Sequence, residues 1–569
     1  MKKLFLPIIC TFLSLQIAAQ NPYRSPMDIP LVLSANFGEL RANHFHTGID
    51  IKTQGVVNKP VYSIDDGYVS RISVSPSGYG LALYVTHPAT GQTSVYGHLN
   101  KFTKAVAAYV KEKQYEEESF RVNLFLSPEQ FPVKKGDLIA YSGNTGSSGG
   151  PHVHFEIRDS QTENALDPLP YYTKDIDDTT APIVKGIAVY PIEGEGLLNG
   201  SYETFRQTIT PLKQGGYSPI SKKLNAWGRI GFGIHANDRM NGTGNIYGVK
   251  CVRLYCDSVL ISSLDVAEVD FNKSRMINSL TDFDFWYRNK KFYMKSFTEP
   301  GNRLDIYKDV EDDGYLTINE ERDYKLRYEL EDLYGNKTSY SFTVTGKEQS
   351  IPYDKRCSQY MAWNQNNHYI TDDFSLSIPA GKLYDDICFI LSRESGVKAD
   401  SSFHLSDCYK VHDKYIPLQS PAEIKIKMTG EMFNPHYRPY GIIQIDGKRP
   451  VWIGGEYKDG YLSAKISELG HTYAITADIK APVITPVNPK NWKANKKIVI
   501  KVTDNLSGVA SYRGTLNGDY ALFGRDIKST NYTYTFDPDR LVKGTTYQLI
   551  FTASDAAGNT SEYTYEFVY

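Results

Sequence analysis

Across 569 residues there are six cysteines, no excess of either charge and, beyond the first twenty positions, no apolar run long enough to span a bilayer. The 63 basic and 65 acidic residues leave a net charge of -2 with both signs mixed, which argues against nucleic acid or a membrane surface as the principal partner. Long helical periodicities are scarce too. The 43 tyrosines, with many Thr, Val and Ile, instead mark a mostly β chain, long enough for several domains that each bury a core. Lys2 and Lys3, the apolar stretch from Leu4 to Ile17, and Ala18-Ala19-Gln20 predict a secretory signal peptide over residues 1–20, too short for a stable transmembrane anchor. Cys10 lies inside its apolar stretch, which disfavours a lipoprotein cleavage site. The expected address is the periplasm, the cell envelope or the extracellular space. Of the other cysteines, Cys388 with Cys408 and Cys251 with Cys256 are candidate bridges and Cys357 is left over, although spacing does not fix pairing.

What is present is concentrated in the first third. Six of the twelve histidines are His44, His46, His87, His98, His152 and His154, and four of these sit in stretches that alternate polar and apolar residues with period two. In His152-Val-His-Phe-Glu-Ile-Arg158 the histidines, Glu156 and Arg158 form one row, and Val153, Phe155 and Ile157 form the opposite, core-seeking row. His46, Gly48, Asp50 and Lys52 likewise oppose Ile49 and Ile51, and Tyr96 and His98 are read as opposing Val95 and Leu99. A helix would also align His46 with Asp50, but Gly48 and the β-branched isoleucines favour a strand. Such a set suits catalytic zinc, which takes three protein ligands and keeps a fourth position for water. Glu156 is a candidate to orient a ligand. His44 is expected to be structural, His87 a loop residue, and His235, His368, His404, His412, His436 and His471 show no ligand spacing.

His46-Thr-Gly-Ile-Asp50-Ile, Gly67-Tyr-Val, Gly78-Tyr-Gly80, Val95-Tyr-Gly-His98-Leu, Val133-Lys-Lys-Gly136-Asp-Leu-Ile-Ala, Gly143-Asn-Thr-Gly146 and Gly150-Pro-His152-Val-His154-Phe-Glu-Ile-Arg158 follow one another in an order that resembles the lysostaphin/LytM-type zinc endopeptidases. The resemblance covers roughly residues 35 to 170 and implies a small antiparallel β fold with a narrow groove. It also implies one Zn2+ held by His46, Asp50 and His154, with His98 and His152 as the catalytic histidines and bacterial peptidoglycan peptides as substrate. The run Gly143-Asn-Thr-Gly146-Ser-Ser-Gly149-Gly150-Pro151 lacks the Gly-Lys-Ser/Thr ending of a phosphate loop and leads into a strand pattern, so its glycines are read as allowing positive φ and close backbone approach to a bound peptide. Residues 101–130 depart from the compact family pattern, with an amphipathic helix expected over 103–119 that either walls the groove or merely elaborates the surface.

Thus the peptidase-like unit spans 21–175, and weak repeats follow. Asp178-Thr-Thr-Ala181-Pro182 is echoed by Asp478-Ile-Lys-Ala481-Pro482, Asn237-Asp238 by Thr503-Asp504, and Asp332-Leu-Tyr-Gly335-Asn336 by Asp555-Ala-Ala-Gly558-Asn559. These suggest Ig-like β-sandwiches at 176–346 and 481–569 around a β domain of unclear type at 347–480, able to engage envelope protein partners, the wall, or nothing. Asp309, Glu311, Asp313 and Glu320 approximate a calcium loop, but strand-like flanks favour an acidic hairpin turn. Three functions fit: a zinc endopeptidase acting on peptidoglycan, a catalytically inactive wall-binding or hydrolase-regulating protein of the same fold, or a protease of ordinary proteins. With all five ligand and catalytic positions filled, the first is expected.

Overall fold

A computed structural model describes residues 23–352, 357–394, 404–429 and 439–569; the expected signal peptide with Cys10, and His436, lie outside them. Strands make up 48% and helix 8%, so the chain is mostly β, as expected. Among the described residues no helix is long and apolar enough to cross a membrane.

The first unit is organised by an antiparallel sheet. In chain order its principal strands are β1 (Leu33–Ala35), β2 (Ile49–Lys52), β3 (Gly67–Val74), β4 (Leu81–His87), β5 (Gln92–Leu99), β6 (Val122–Phe125) and β7 (His152–Asp159), and they lie side by side as β1-β2-β7-β5-β4-β3-β6. Strand β7 is central, with His154 paired to Asp50 on one side and to Gly97 on the other. Val153, Phe155 and Ile157 join Ile49, Ile51 and Tyr96 in the core, so period-two geometry turns His154, Glu156 and Arg158 to the opposite face. Tyr23, Met27, Leu31 and Leu33 belong to the same core, which makes the segment before β2 part of the unit.

Helix α1 (Lys104–Glu116) buries Val106, Val110 and Gln114, an i, i+4, i+8 stripe on one face. Its outer side carries the last unit of the chain. Lys111 reaches Asp537 and Asp539 at 3.0 and 3.1 Å, Arg513 pairs with Glu118 at 2.6 Å, and the Arg540 guanidinium lies 3.6 Å from the Tyr115 ring centre. Farther along, the Lys528 ammonium donates to the Asn144 and Gly146 carbonyls at 2.5 and 2.7 Å, and Gly146 N–H donates to Asp526 at 3.3 Å. The 101–130 region therefore serves as a platform for residues 481–569, a role its sequence does not announce.

Residues 183–346 contain a ten-stranded sheet rather than the expected pair of separate sheets. A short parallel pairing of Asn225 with Thr345 and Ala226 with Gly346 joins its halves, which share one core where Phe232 meets Phe342. The acidic turn is not a hairpin: the flanking strands Tyr307–Val310 and Leu316–Ile318 pair with Val259–Asp265 and Asn225–Asn237 respectively. Asp309, Glu311, Asp313 and Glu320 do not appear among the metal-capable groupings of the described residues, and Glu320 pairs with Arg322 at 2.8 Å. The third unit packs two five-stranded sheets around Phe374, Ile424, Ile442 and Ile475, and the last packs two four-stranded sheets around Ile498, Phe523 and Phe551.

The cysteine pairing differs from both expected bridges: Cys357 is bonded to Cys388, while Cys251, Cys256 and Cys408 are buried and take no part in a disulfide among the described residues. Pairing of Tyr360 with Cys388 brings Cys357 within reach. Cys251 and Cys256 occupy opposite ends of one strand, about 17 Å apart at strand rise, far beyond the roughly 7 Å limit for a disulfide.

Exposed ion pairs contribute only about 0.2–1 kcal/mol each, so one substitution would leave the last unit docked. Lys111→Glu combined with Lys528→Glu turns both anchors into repulsions and is expected to release residues 481–569, read as a larger radius of gyration in small-angle scattering. An unchanged radius would show that docking rests on other contacts.

Candidate metal centre

The ligand-type side chains converge where β2, β5 and β7 meet. His46 Nε2, Asp50 Oδ1 and His154 Nδ1 lie 2.9 to 3.1 Å from one another, and His152 Nε2 lies 3.4 Å from the same Asp50 oxygen. Register explains part of this, since His154 stands opposite Asp50 across the β2-β7 ladder. His46 enters from just ahead of β2, where its Nδ1 donates to the Asn36 carbonyl at 2.7 Å. A carbonyl can only accept, so this bond leaves Nε2 with its lone pair toward the cluster.

Behind the cluster stands Glu156, fully buried. Oε1 accepts from Thr47 Oγ1 and Tyr79 OH, both at 2.6 Å, and lies 2.7 Å from His154 Nε2, while Oε2 takes the Arg158 guanidinium at 2.6 Å. Burial opposes charge on Glu156, but Arg158 foremost, with His154 and Thr47, holds it well below the usual carboxylate range. Burial likewise opposes charge on His154, yet its hydrogen bonds to Asp50 and Glu156 outweigh this and push the imidazole up to about 9. Despite burial, the surrounding imidazoles keep Asp50 well below its ordinary value.

His98 reaches the site by a route its alternation does not reveal. Tyr96 belongs to the core and its hydroxyl accepts from Ile64 N–H, whereas Val95 packs with Ala82 and Tyr84 in a separate cluster. Tyr96 and His98 therefore do not continue one simple row. The ladder with β4 shifts register between Leu81 and Leu83, and His98 adopts φ +57°, the left-handed region uncommon for a non-glycine residue. Gly97 is what lets the neighbouring strand close in, because a Cβ there would meet Tyr79 at 3.2 Å and His154 at 3.3 Å. His98 Nδ1 donates to the Thr145 carbonyl at 2.8 Å, and its ring centre lies 4.8 Å from that of His152. Burial, then His154 and His152, lower the His98 imidazole to about 3. Gly146, at φ +69°, packs against Gly80, so it serves a contact within the chain.

The remaining histidines are outside the cluster. His44 is exposed and bonds to the Ala42 carbonyl; His87 ends β4 fully buried between the Asp66 carbonyl and Ser94, rather than lying in a loop. His235, His368, His404, His412 and His471 enter no metal-capable grouping of the described residues. Arg158 shares with Glu156 the row that alternation gave, whereas Tyr79 and Thr47 are partners of Glu156 that alternation alone did not identify; Tyr79 stands inside the Gly78-Tyr-Gly80 motif, its one signal.

The donor set fits zinc. Two imidazole nitrogens and a carboxylate oxygen face one another with the remaining His46 and His154 nitrogens tied to Asn36 and Glu156, the nitrogen and oxygen donors that zinc takes. Three protein donors of this N/O type leave a further position for water.

Residues 44–115 and 122–168 match the family model described as Peptidase family M23, and residues 358–478 match that of a Zu5-like domain. An uncharacterized metalloprotease of Haemophilus influenzae is 36% identical over 113 residues, 20% of this chain and 18% of that protein. The DD-carboxypeptidase/endopeptidase Mpg of Neisseria gonorrhoeae is 32% identical over 114 residues, 20% of each. The chain thus matches about a fifth of the length of these curated relatives. Among solved structures, the catalytic domain of lysostaphin from Staphylococcus simulans is 22% identical, covering 25% of this chain and 92% of that one with a TM-score of 0.19.

Glu156→Gln removes the charge that fixes the His154 proton and leaves the buried Arg158 only its longer pairing with Glu163 at 3.3 Å. Metal affinity is expected to fall by about 10–100-fold, measured by competition with a chromogenic chelator. Unchanged affinity would mean that Glu156 does not act through His154.

Proposed function

Since residues 44–115 and 122–168 make up a Peptidase family M23 domain, we propose that the protein is a zinc-dependent endopeptidase that hydrolyses peptide cross-links or stem peptides of bacterial peptidoglycan. Its N-terminal signal peptide would deliver it to the periplasm or cell envelope. One observation carries the reading: His46, Asp50 and His154 present three donor atoms to a common point beside two further imidazoles, those of His98 and His152.

Zinc held by His46, Asp50 and His154 would polarise the scissile carbonyl and lower the pKa of its water toward roughly 7. The rest of the chemistry falls to the chain. His152 Nδ1 lies 2.8 Å from the Gly150 carbonyl, to which it donates, leaving Nε2 as an acceptor 3.4 Å from the ligand oxygen of Asp50. That places a proton acceptor at the edge of the ligand set, suited to take a proton from the attacking water and return it to the leaving amine. His98 is a poorer base, held neutral at about 3, and its neutral ring packs beside His152 without adding charge. Peptidoglycan as substrate class is supported by the DD-carboxypeptidase/endopeptidase among the relatives.

The mature protein with one zinc per chain is expected to shorten cross-linked muropeptides, followed by mass spectrometry. His152→Ala should keep its zinc and lose cleavage by at least about 100-fold, while His46→Ala should lose the metal itself. Intact cross-links after incubation with the zinc-loaded wild type would overturn the assignment, and casein cleavage without muropeptide cleavage would redirect it to ordinary proteins.

A further inference from the structure

The three repeated motifs of the second and fourth units converge in space. Asp178, Asp238 and Asp332 bring one carboxylate oxygen each to within 4.8 Å of one another, and Asp478, Asp504 and Asp555 do the same. Asp178 and Asp478 sit on the connecting segments just ahead of strands Ile183–Leu198 and Val483–Pro486, so each triad joins a unit to the chain that enters it.

The two triads are held by the same bonds. Asp332 Oδ1 accepts from the Tyr334 and Asn336 backbone N–H groups at 2.8 and 2.9 Å, and Asp555 Oδ1 from those of Ala557 and Asn559 at 3.0 and 2.8 Å. The Asn336 side-chain amide donates to Asp332 Oδ2 and to the Asp178 carbonyl; that of Asn559 donates to Asp555 Oδ2 and to the Asp478 carbonyl. A closing turn and an entering segment are thus tied together twice over by one design.

These cradles leave acidic oxygens unaccounted for. Asp178 Oδ2 and Asp238 Oδ1 are buried with no hydrogen-bond partner, on residues only 6% and 2% exposed; in the other triad Asp504 Oδ1 is also buried and unpartnered, on a half-buried residue between the buried Asp478 and Asp555. Among the described residues no ion pair reaches any of the six aspartates. The buried Tyr334 hydroxyl, also without a partner, lines a cavity with Asp238 and Asp332. Buried carboxylates without a counter-charge are costly, and native proteins satisfy such groups.

We propose that each triad binds a hard divalent cation such as calcium, fixing the second unit to the peptidase domain and the last unit to the third. Carboxylate and carbonyl oxygens are the donors such ions prefer, and a nitrogen-free set separates these sites from the zinc ligands.

The test is calorimetric titration of the full chain with calcium chloride, after treatment with a calcium-selective chelator and with zinc content verified. Two sites per chain are expected; Asp238→Asn should leave one, Asp504→Asn the other, and the double variant none, with equal zinc in all four proteins. Each single variant carries the other triad as its internal control for folding. The same two-site pattern with magnesium chloride would also support the proposal, since the donors are shared. No binding of either ion by the wild type, or two sites retained in the double variant, would overturn it, and neither result bears on peptidase activity.

Discussion

The buried pairing of Glu156 with Arg158 governs the catalytic end of the molecule. Removing a carboxylate and a guanidinium from water costs several kcal/mol per ion, which the pair recovers only with every lone pair occupied. Here the remaining bonds are supplied by Thr47, Tyr79 and His154, so the satisfaction of Glu156 and the orientation of a ligand are one requirement. Because a charged carboxylate can only accept, His154 must carry a proton on Nε2, which leaves its Nδ1 directed at Asp50. The ligand geometry is therefore set from behind, by a residue that faces neither water nor substrate.

Much of this arrangement was legible wherever a strand obeys strict alternation. Residues 152–158 do so, and the facing of His154, Glu156 and Arg158 away from Val153, Phe155 and Ile157 follows directly from it. Alternation failed at Tyr96 and His98 because a left-handed residue interrupts the strand, and histidine, unlike glycine, carries no signal for that conformation. The disulfide was hidden for a different reason. Bringing Cys357 to Cys388 depends on a two-residue ladder that no local pattern encodes.

Repetition proved more informative than it looked. Each aspartate of the two triads lies in a stretch that reads locally as a turn or linker, and Asp178, Asp332, Asp478, Asp504 and Asp555 do cap a turn or connecting segment by hydrogen bonds from backbone N–H groups. That three such stretches meet at one point in each unit requires the sheets that fold them together. The acidic run around Asp309 shows the converse: a denser sequence motif whose carboxylates lie on and around two strands with separate partners and form no metal-capable grouping among the described residues. Spacing along the chain is thus a weaker guide to converging carboxylates here than recurrence of single acids at equivalent positions.

The clasp between Lys528 and the loop that carries Thr145 spans 384 residues of chain. A ribosome adding about 5–20 residues per second needs roughly 20–80 s to cover that distance. For all of that interval the complete ligand set has already been synthesised, while the backbone that holds His98 waits for its brace. The loop that holds His98 is therefore made long before the lysine that braces it, and a chain ending short of Lys528 would lack that brace permanently.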